Sequence, residues 1–137
     1  MRELLRVRRR AIEVNTMAEI KIKRVYEESL EADGLRVLVD RLWPRGVLRE
    51  AAHLDAWNKE VAPSPELRRW FNHDPERFCA FAARYRDELA SSEAAEIFVR
   101  QCAEAIAENR QVTLVFAARD YACNHALVLR DWVLAHL

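Results

Sequence analysis

Residues 36–46 read Arg-Val-Leu-Val-Asp-Arg-Leu-Trp-Pro-Arg-Gly, and this stretch decides the fold of the chain. Its first four residues form a short, mostly apolar run, which is typical of a buried β-strand. An acid, two arginines and a tryptophan follow directly, and the proline and glycine then turn the chain into a loop. Ligands of open α/β sheets bind outside the carboxyl ends of the strands, so the segment from Asp40 to Arg45 predicts a site.

The composition indicates one globular domain. The chain has 137 residues, which is a common length for a single domain, and 51% of them are hydrophobic, enough to form a core. Its two glycines and four prolines argue against a β-sandwich or barrel, which would need many turns. A small folded domain is therefore expected rather than a disordered chain.

The formal net charge is zero, but the basic residues are concentrated at the N-terminus. Residues 1–16 contain two glutamates and five arginines, namely Arg2, Arg6, Arg8, Arg9 and Arg10. The remaining chain is mildly acidic, which speaks against a general nucleic-acid binder. The basic start is read either as a nucleic-acid arm or as a tail, with translation from Met17 as a further alternative. We expect residues 1–17 to be a disordered or alternative-start extension and residues 18–137 to form a single α/β domain.

The sequence predicts a cytoplasmic protein that has no membrane segment. No run approaches the roughly 18 apolar residues of a membrane helix, and the N-terminus lacks the apolar region of a secretory signal. The three cysteines, Cys79, Cys102 and Cys123, are odd in number and lack Cys-x-x-Cys spacing, which indicates free thiols in a reducing compartment.

The hydrophobic pattern predicts alternating strands and helices. Strands are expected at residues 20–26, 36–39 and 112–118, and helices at residues 51–61, 66–71, 75–89 and 121–137. Ser64, Asp74 and either Ser91 or Ser92 are predicted N-caps, the last of them for a further helix that turns Ile97, Phe98, Cys102, Ala105 and Ile106 inward. Cys79 is also predicted to be a small core residue. The fold class is α/β, a small single domain with a mainly parallel sheet flanked by helices.

A second polar group follows the strand predicted at residues 112–118. Arg119 and Asp120 end this strand, so they meet Asp40, Arg41 and Arg45 at one edge if the two strands are parallel neighbours. One hypothesis is a pocket for an anionic small molecule or a nucleotide phosphate, in which arginines hold the charge and Asp40 or Asp120 is the acid–base group. The alternative is that the two aspartates form internal salt bridges with Arg119 and Arg41.

Three further residues are candidates for the same site. Trp43 either stacks on a ligand or covers the core beneath Pro44. His73 either reaches the pocket or forms local hydrogen bonds. Cys123 is the one candidate nucleophile, because a helix N-terminus and Arg119 would both lower the pKa of its thiol. The sequence has no Cys-x5-Arg phosphate loop after the strand, which argues against such reactivity.

No cofactor motif is present in the sequence. It contains no His-Glu-x-x-His pattern, no Gly-x-Gly-x-x-Gly fingerprint and no Walker loop. A metal site and a dinucleotide or ATP site of the usual kinds are therefore disfavoured, and the sequence leaves the cofactor unknown.

Several of these segments resemble domain-of-unknown-function family 488, in its YeaO-like branch. The resemblance rests on residues 36–46, Trp57, residues 62–64, 67–71 and 73–75, and the last strand-to-helix junction. It implies a small bacterial or archaeal α/β protein whose biochemical role is not established. Related sequences often place a histidine directly before an asparagine at the start of the last helix, whereas this chain has Cys123-Asn124-His125. Asn124 is the residue of that junction that carries over as a candidate ligand contact.

Two classes of function follow from the sequence. The first is a small enzyme that acts on a phosphorylated or carboxylated small molecule. The second is a non-catalytic module that binds nucleic acid or protein, with nucleic acid ranked lower because the folded part is not basic. The oligomeric state is not determined by the sequence.

Overall fold

The sheet contains four parallel strands, and the last strand along the chain lies inside it. The structure, a computed structural model, describes residues 19–137, so the extension predicted over residues 1–17 lies outside the described residues. The strands are β1 (Ile20–Arg24), β2 (Leu35–Leu38), β3 (Ala56–Trp57) and β4 (Val112–Phe116). Their spatial order is β1-β4-β2-β3, so β4 pairs with both β1 and β2.

Five helices complete the described part of the chain. They are α1 (Arg49–Ala52), α2 (Pro65–Phe71), α3 (Phe78–Ala90), α4 (Glu93–Ala107) and α5 (His125–Ala135). The predicted caps Ser64 and Ser92 are confirmed, since their side chains accept hydrogen bonds from the N–H groups of Leu67 and Ala95. Asp74 likewise caps a short 3₁₀ turn that leads into α3. The chain is a small α/β single domain, as the sequence predicts.

The main core lies between one face of the sheet and helices α2 to α5. The register of the strands places Ile22, Leu114 and Val37 side by side on this face. Large buried side chains from the helices pack against it, among them Leu67, Phe71, Phe81, Tyr85, Phe98 and Leu129. This core fixes the ends of β2 and β4 relative to α2, α3 and α5.

The opposite face of the sheet is covered by the segments that follow β1 and β2. A smaller apolar cluster of Val25, Leu38 and Val115 lies there, and Trp43 and Trp57 pack against it. The two indole rings make an edge-to-face contact with their centroids 5.3 Å apart.

An ion cluster centred on the buried Asp33 occupies the same face and includes the buried Lys23 and Arg36 and the partly exposed Lys21. Asp33 is fully buried; its carboxylate lies 2.7 Å from Arg36 Nη1, 3.0 Å from Lys23 Nζ and 3.3 Å from Lys21 Nζ. Burial alone would raise the pKa of Asp33, but hydrogen bonds from the Leu30 N–H, Lys23, Arg36 and Lys21 outweigh it and lower the pKa to about 2. The cluster ties the start of β2 to β1.

The helix predicted over residues 51–61 is wrong. Helix α1 ends at Ala52, because His53 adopts a left-handed conformation with φ of 51°. The chain then pairs with β2, where the Asp55 and Asn58 N–H groups donate to the Arg36 and Leu38 carbonyls. Residues at helical spacing therefore form β3 and a 3₁₀ turn (Lys59–Val61), because sheet hydrogen bonds override the local pattern.

Three other expectations need correction. The last helix begins at His125 rather than at residue 121, because Asn124 is its N-cap. Ile97 is 40% exposed on α4 and does not face the core, although Phe98, Cys102 and Ala105 do. Cys79 is exposed, so it is not a core residue, whereas Cys102 is buried as predicted.

Candidate functional site

The carboxyl ends of β2 and β4 lie side by side, so the two polar groups that follow them meet at one edge of the sheet. The Val39 N–H donates to the Val115 carbonyl across 3.0 Å. One residue further on, the Ala117 N–H donates to Oδ2 of Asp40 across 3.1 Å. The chain reversals near residues 40 and 119 therefore share one rim.

A cavity of about 610 Å³ opens at this rim. Its walls come from the segments after β2 and β4, from the loop before α2, from α2 and α3, and from the start of α5. The lining residues are Asp40, Arg41, Leu42, Ala62, Pro63, Arg68, Phe71, His73, Phe81, Ala117, Ala118, Arg119, Asp120, Asn124 and His125. The volume lies in the range of pockets that enclose small organic ligands.

One carboxylate oxygen of Asp40 is hydrogen-bonded by the protein, and the other is enclosed without a hydrogen bond. Oδ2 accepts from the Ala117 N–H, and Oδ1 lies 3.1 Å from Nε2 of His125. The same nitrogen is 3.1 Å from the Val39 carbonyl and forms its hydrogen bond there. The enclosed Oδ1 of Asp40 therefore lies beside the imidazole without a hydrogen bond. Since both neighbours of Nε2 are acceptors, Nε2 carries a proton.

Tyr85 lies beneath this pair, with its ring 6.4 Å from that of His125. Its hydroxyl donates to the Val61 carbonyl across 2.5 Å. Burial raises the pKa of Tyr85 well above its ordinary value, and the carboxylates of Glu88 and Asp40 raise it further. Tyr85 therefore stays neutral and holds the loop before α2 against α3.

Asp120 and Asn124 are used to build the turn before α5. Oδ1 of Asp120 accepts from the N–H groups of Ala122 and Cys123, at 2.8 and 3.1 Å. The buried Asn124 amide donates to the Asp120 carbonyl and accepts from the Leu127 N–H, both at 2.8 Å. Both residues line the cavity; the Asn124 amide and Oδ1 of Asp120 already have partners, whereas Oδ2 of the exposed Asp120 makes no hydrogen bond within residues 19–137.

The arginines of the cavity fall into two groups. Arg41 donates to the carbonyls of Pro63 and Ala62, at 3.3 and 3.2 Å, so it holds the loop before α2. Arg119 and Arg68 are exposed and line the cavity, and within residues 19–137 their side chains make no hydrogen bond or ion pair. The salt bridges Asp40–Arg119 and Asp120–Arg41, which the sequence left open, are not among the contacts of the described residues.

Trp43 and Arg45 lie outside the cavity. The Trp43 indole donates to the Val47 carbonyl across 2.7 Å, and the ring packs between Trp57 and the guanidinium of Arg49. Arg45 is exposed on the loop beyond it, where its carbonyl accepts from the Tyr26 hydroxyl. His73 does line the cavity, from a left-handed position with φ of 56° after α2.

The expectation of a lowered thiol pKa at Cys123 is wrong. Burial raises the pKa of Cys123, and the negative charges of Asp120 and Cys79 raise it further. The Asp120 side chain turns back toward the Cys123 N–H, so a negative charge lies in the same turn as the thiol. Cys123 also does not line the cavity.

We expect slow alkylation of Cys123. In a Cys79→Ala variant, where the remaining Cys102 is buried, iodoacetamide should modify Cys123 at pH 7 no faster than it modifies N-acetylcysteine, because the thiolate is the nucleophile. Asp120→Asn in the same background should raise the rate. Rapid alkylation that does not change between pH 6 and pH 9 would show that the thiol is activated.

Sequence reasoning missed two residues that the fold brings to the cavity. Arg68 lies one helical turn before Phe71 on α2, and His125 is the first residue of α5. Neither follows a strand, so the rule that located Asp40 and Arg119 does not reach them. For His125 the sequence offered a signal, namely its position directly after the cap Asn124.

Two features are absent from the described residues. No helix within residues 19–137 is long and apolar enough to cross a membrane. Across the same residues, no three histidine, cysteine, aspartate or glutamate side chains come together as a metal-binding group.

The fold and the site define a small, parallel α/β protein with a cavity of charged and apolar side chains at the carboxyl ends of its strands. Residues 19–137 match the family described as the inactive DUF488-N3 subclade, and the chain belongs to that family. It is 42% identical to the uncharacterised protein YeaO of Escherichia coli over 114 residues, which are 83% of this chain and 96% of that protein.

A second relative agrees with this assignment. The uncharacterised protein Rv3073c of Mycobacterium tuberculosis is 44% identical over 110 residues, which cover 80% of this chain and 89% of that protein. The chain therefore spans most of both bacterial relatives. No solved structure matches it.

Proposed function

We propose that this protein binds an anionic small molecule in the cavity at the carboxyl ends of β2 and β4, without catalysing its conversion. The observation that carries the proposal is the contrast between the cavity's charged groups. Arg119 and Arg68 have no partner among residues 19–137, whereas one oxygen of each aspartate carboxylate, Oδ2 of Asp40 and Oδ1 of Asp120, already accepts from backbone N–H groups. Free guanidinium groups bind carboxylate or phosphate in a bidentate manner.

The absence of turnover in this proposal is supported by the same contacts. An acid–base group must be within hydrogen-bond reach of the substrate, and it needs a lone pair or a proton to exchange. Oδ2 of Asp40 is held by the Ala117 N–H and its Oδ1 is enclosed beside the His125 imidazole, while Oδ1 of Asp120 accepts from two N–H groups of its own turn, which leaves only Oδ2 of Asp120 open to a substrate among these four oxygens. The description of the family as an inactive subclade points the same way.

The proposal includes a cytoplasmic location for the protein. It is supported by the three cysteines, which are free thiols and form no disulfide with one another.

The test is a titration of the protein with inorganic phosphate and with acetate, followed by amide chemical shifts. We expect shifts at residues around the cavity, and about tenfold weaker binding in Arg119→Ala and in Arg68→Ala. A hydrogen bond to a charged group contributes about 1.5–3 kcal/mol, and 1.4 kcal/mol corresponds to a factor of ten.

Arg45→Ala is the matched control, because Arg45 is an exposed arginine outside the cavity. It should leave the affinity for both anions unchanged. Equal losses in the Arg45, Arg68 and Arg119 variants would mean that the anions respond only to overall charge, and the proposal would then fail. It would also fail if no anion shifted the cavity resonances.

A further inference from the structure

The cavity is built for more than an inorganic ion. Its volume of about 610 Å³ equals roughly twenty water molecules at about 30 Å³ each. A phosphate or acetate ion bound to the two arginines would occupy a small part of this space. The remaining lining residues then determine which kind of molecule fills the cavity.

Much of that wall is apolar. Phe71 and Phe81 line the cavity as a stacked pair, with ring centroids 4.2 Å apart and planes inclined by 17°. Ala117 and Ala118 extend the wall beyond the end of β4, and their methyl groups leave room above the sheet. Leu42 adds a leucine side chain that is 60% exposed. Water against such surfaces is readily displaced by an apolar group.

The guanidinium groups of Arg68 and Arg119 each adjoin one of these apolar surfaces. Arg68 lies three residues before Phe71 on α2, so the two side chains project from the same side of the helix. Arg119 directly follows Ala117 and Ala118 along the chain. A ligand that contacts both kinds of surface must carry its negative charge next to an apolar body.

The charge of the lining favours a single negative charge on that ligand. Three arginines and two aspartates line the cavity, which leaves one net positive charge when the histidines are neutral. A carboxylate neutralises this charge, whereas a phosphate dianion would leave the site with an excess of negative charge.

We infer that the ligand is an organic carboxylate with a flat hydrophobic body, such as an aromatic acid, with its ring in the apolar part of the cavity and its carboxylate on Arg119 and Arg68. This inference rests on the proposed function, since it names the class of anion that the same site binds. It predicts that the affinity of a ligand depends on its hydrophobic body as well as on its negative charge.

The experiment compares naphthalene-2-carboxylate with acetate and inorganic phosphate by isothermal titration calorimetry and amide chemical shifts. We expect the naphthoate to bind at least tenfold more tightly than either small ion. If acetate and phosphate bind in the cavity and the naphthoate binds no better, the inference is wrong and the proposed function stands. If none of the three anions perturbs the cavity, both fail.

A pair of leucine variants tests the apolar part directly. Leu42→Ser should weaken naphthoate binding about threefold or more and leave phosphate binding unchanged. Leu48→Ser is the matched control, because Leu48 is 67% exposed and does not line the cavity. Equal naphthoate affinity in the two variants would contradict the placement of the ring.

Discussion

Replacement of Asp33 by asparagine is expected to lower the free energy of unfolding by about 3–5 kcal/mol. The substitution keeps the shape of the side chain and removes its negative charge. The side chains of Arg36 and Lys23 are only 4% and 11% exposed, so they would remain in the interior without a counter-charge. Urea denaturation followed by circular dichroism measures the loss.

The same cluster gives stability a defined pH dependence. The folded pKa of Asp33 is about 2 against an ordinary value of 3.8, so the unfolded chain takes up the proton first as the pH falls. The stabilisation that the Asp33 charge provides is complete above about pH 4 and is lost as the pH falls toward 2. It amounts to roughly 2 kcal/mol, since each unit of difference between the folded and unfolded pKa corresponds to about 1.36 kcal/mol. The difference in the free energy of unfolding between wild type and Asp33→Asn should therefore become smaller below pH 4.

Asp131→Asn is the control for this experiment. Asp131 is 60% exposed and pairs with Arg130 at the surface, so its loss should change stability by less than about 1 kcal/mol. A gap between wild type and Asp33→Asn that stays constant from pH 6 to pH 2 would contradict the role of the Asp33 charge.

Gly34→Ala is expected to destabilise the fold by about 3 kcal/mol or more. Gly34 has φ of +66° and ψ of −128°, a region that residues with a Cβ rarely adopt. An added Cβ would also lie 2.2 Å from the Gln111 carbonyl oxygen, which is backbone and cannot move aside. That oxygen accepts the hydrogen bond from Leu35 N–H that begins the pairing of β2 with β4.

The Gly46→Ala variant separates the effect of the positive φ from the effect of the contact with the Gln111 carbonyl. Gly46 also has a positive φ, +78°, but no atom lies within 4 Å of its added Cβ. This variant should lose only the conformational cost of about 1–2 kcal/mol. Thermal and urea unfolding of both variants measure the difference, and equal losses would show that the contact with Gln111 is relieved at little cost.

The location of the cavity could be predicted because two apolar strands each run directly into charged residues. Val39 is followed by Asp40 and Arg41, and the strand that begins at Val112 leads to Arg119. Strand ends are local features of the sequence, and parallel neighbours bring them to one edge. The fold class followed from the same strands and from the helices between them.

The contacts within the site could not be predicted in the same way. Asp40 and Asp120 have the same chemistry in the sequence, but which donors they meet depends on the turn before α5 and on the position of His125. Trp57 lies at helical spacing, yet it pairs with Leu38 in the sheet. Such outcomes depend on packing between segments that are distant along the chain.

The position of β4 also has a consequence for biosynthesis. Ile20 pairs with Val112, so β1 finds its partner only after roughly ninety further residues have left the ribosome, about 5 to 18 seconds later at typical elongation rates. Until then β1 and β2 have no strand between them, and their apolar faces are exposed to other nascent chains. A pause in translation before β4 should therefore increase aggregation more than a pause after it.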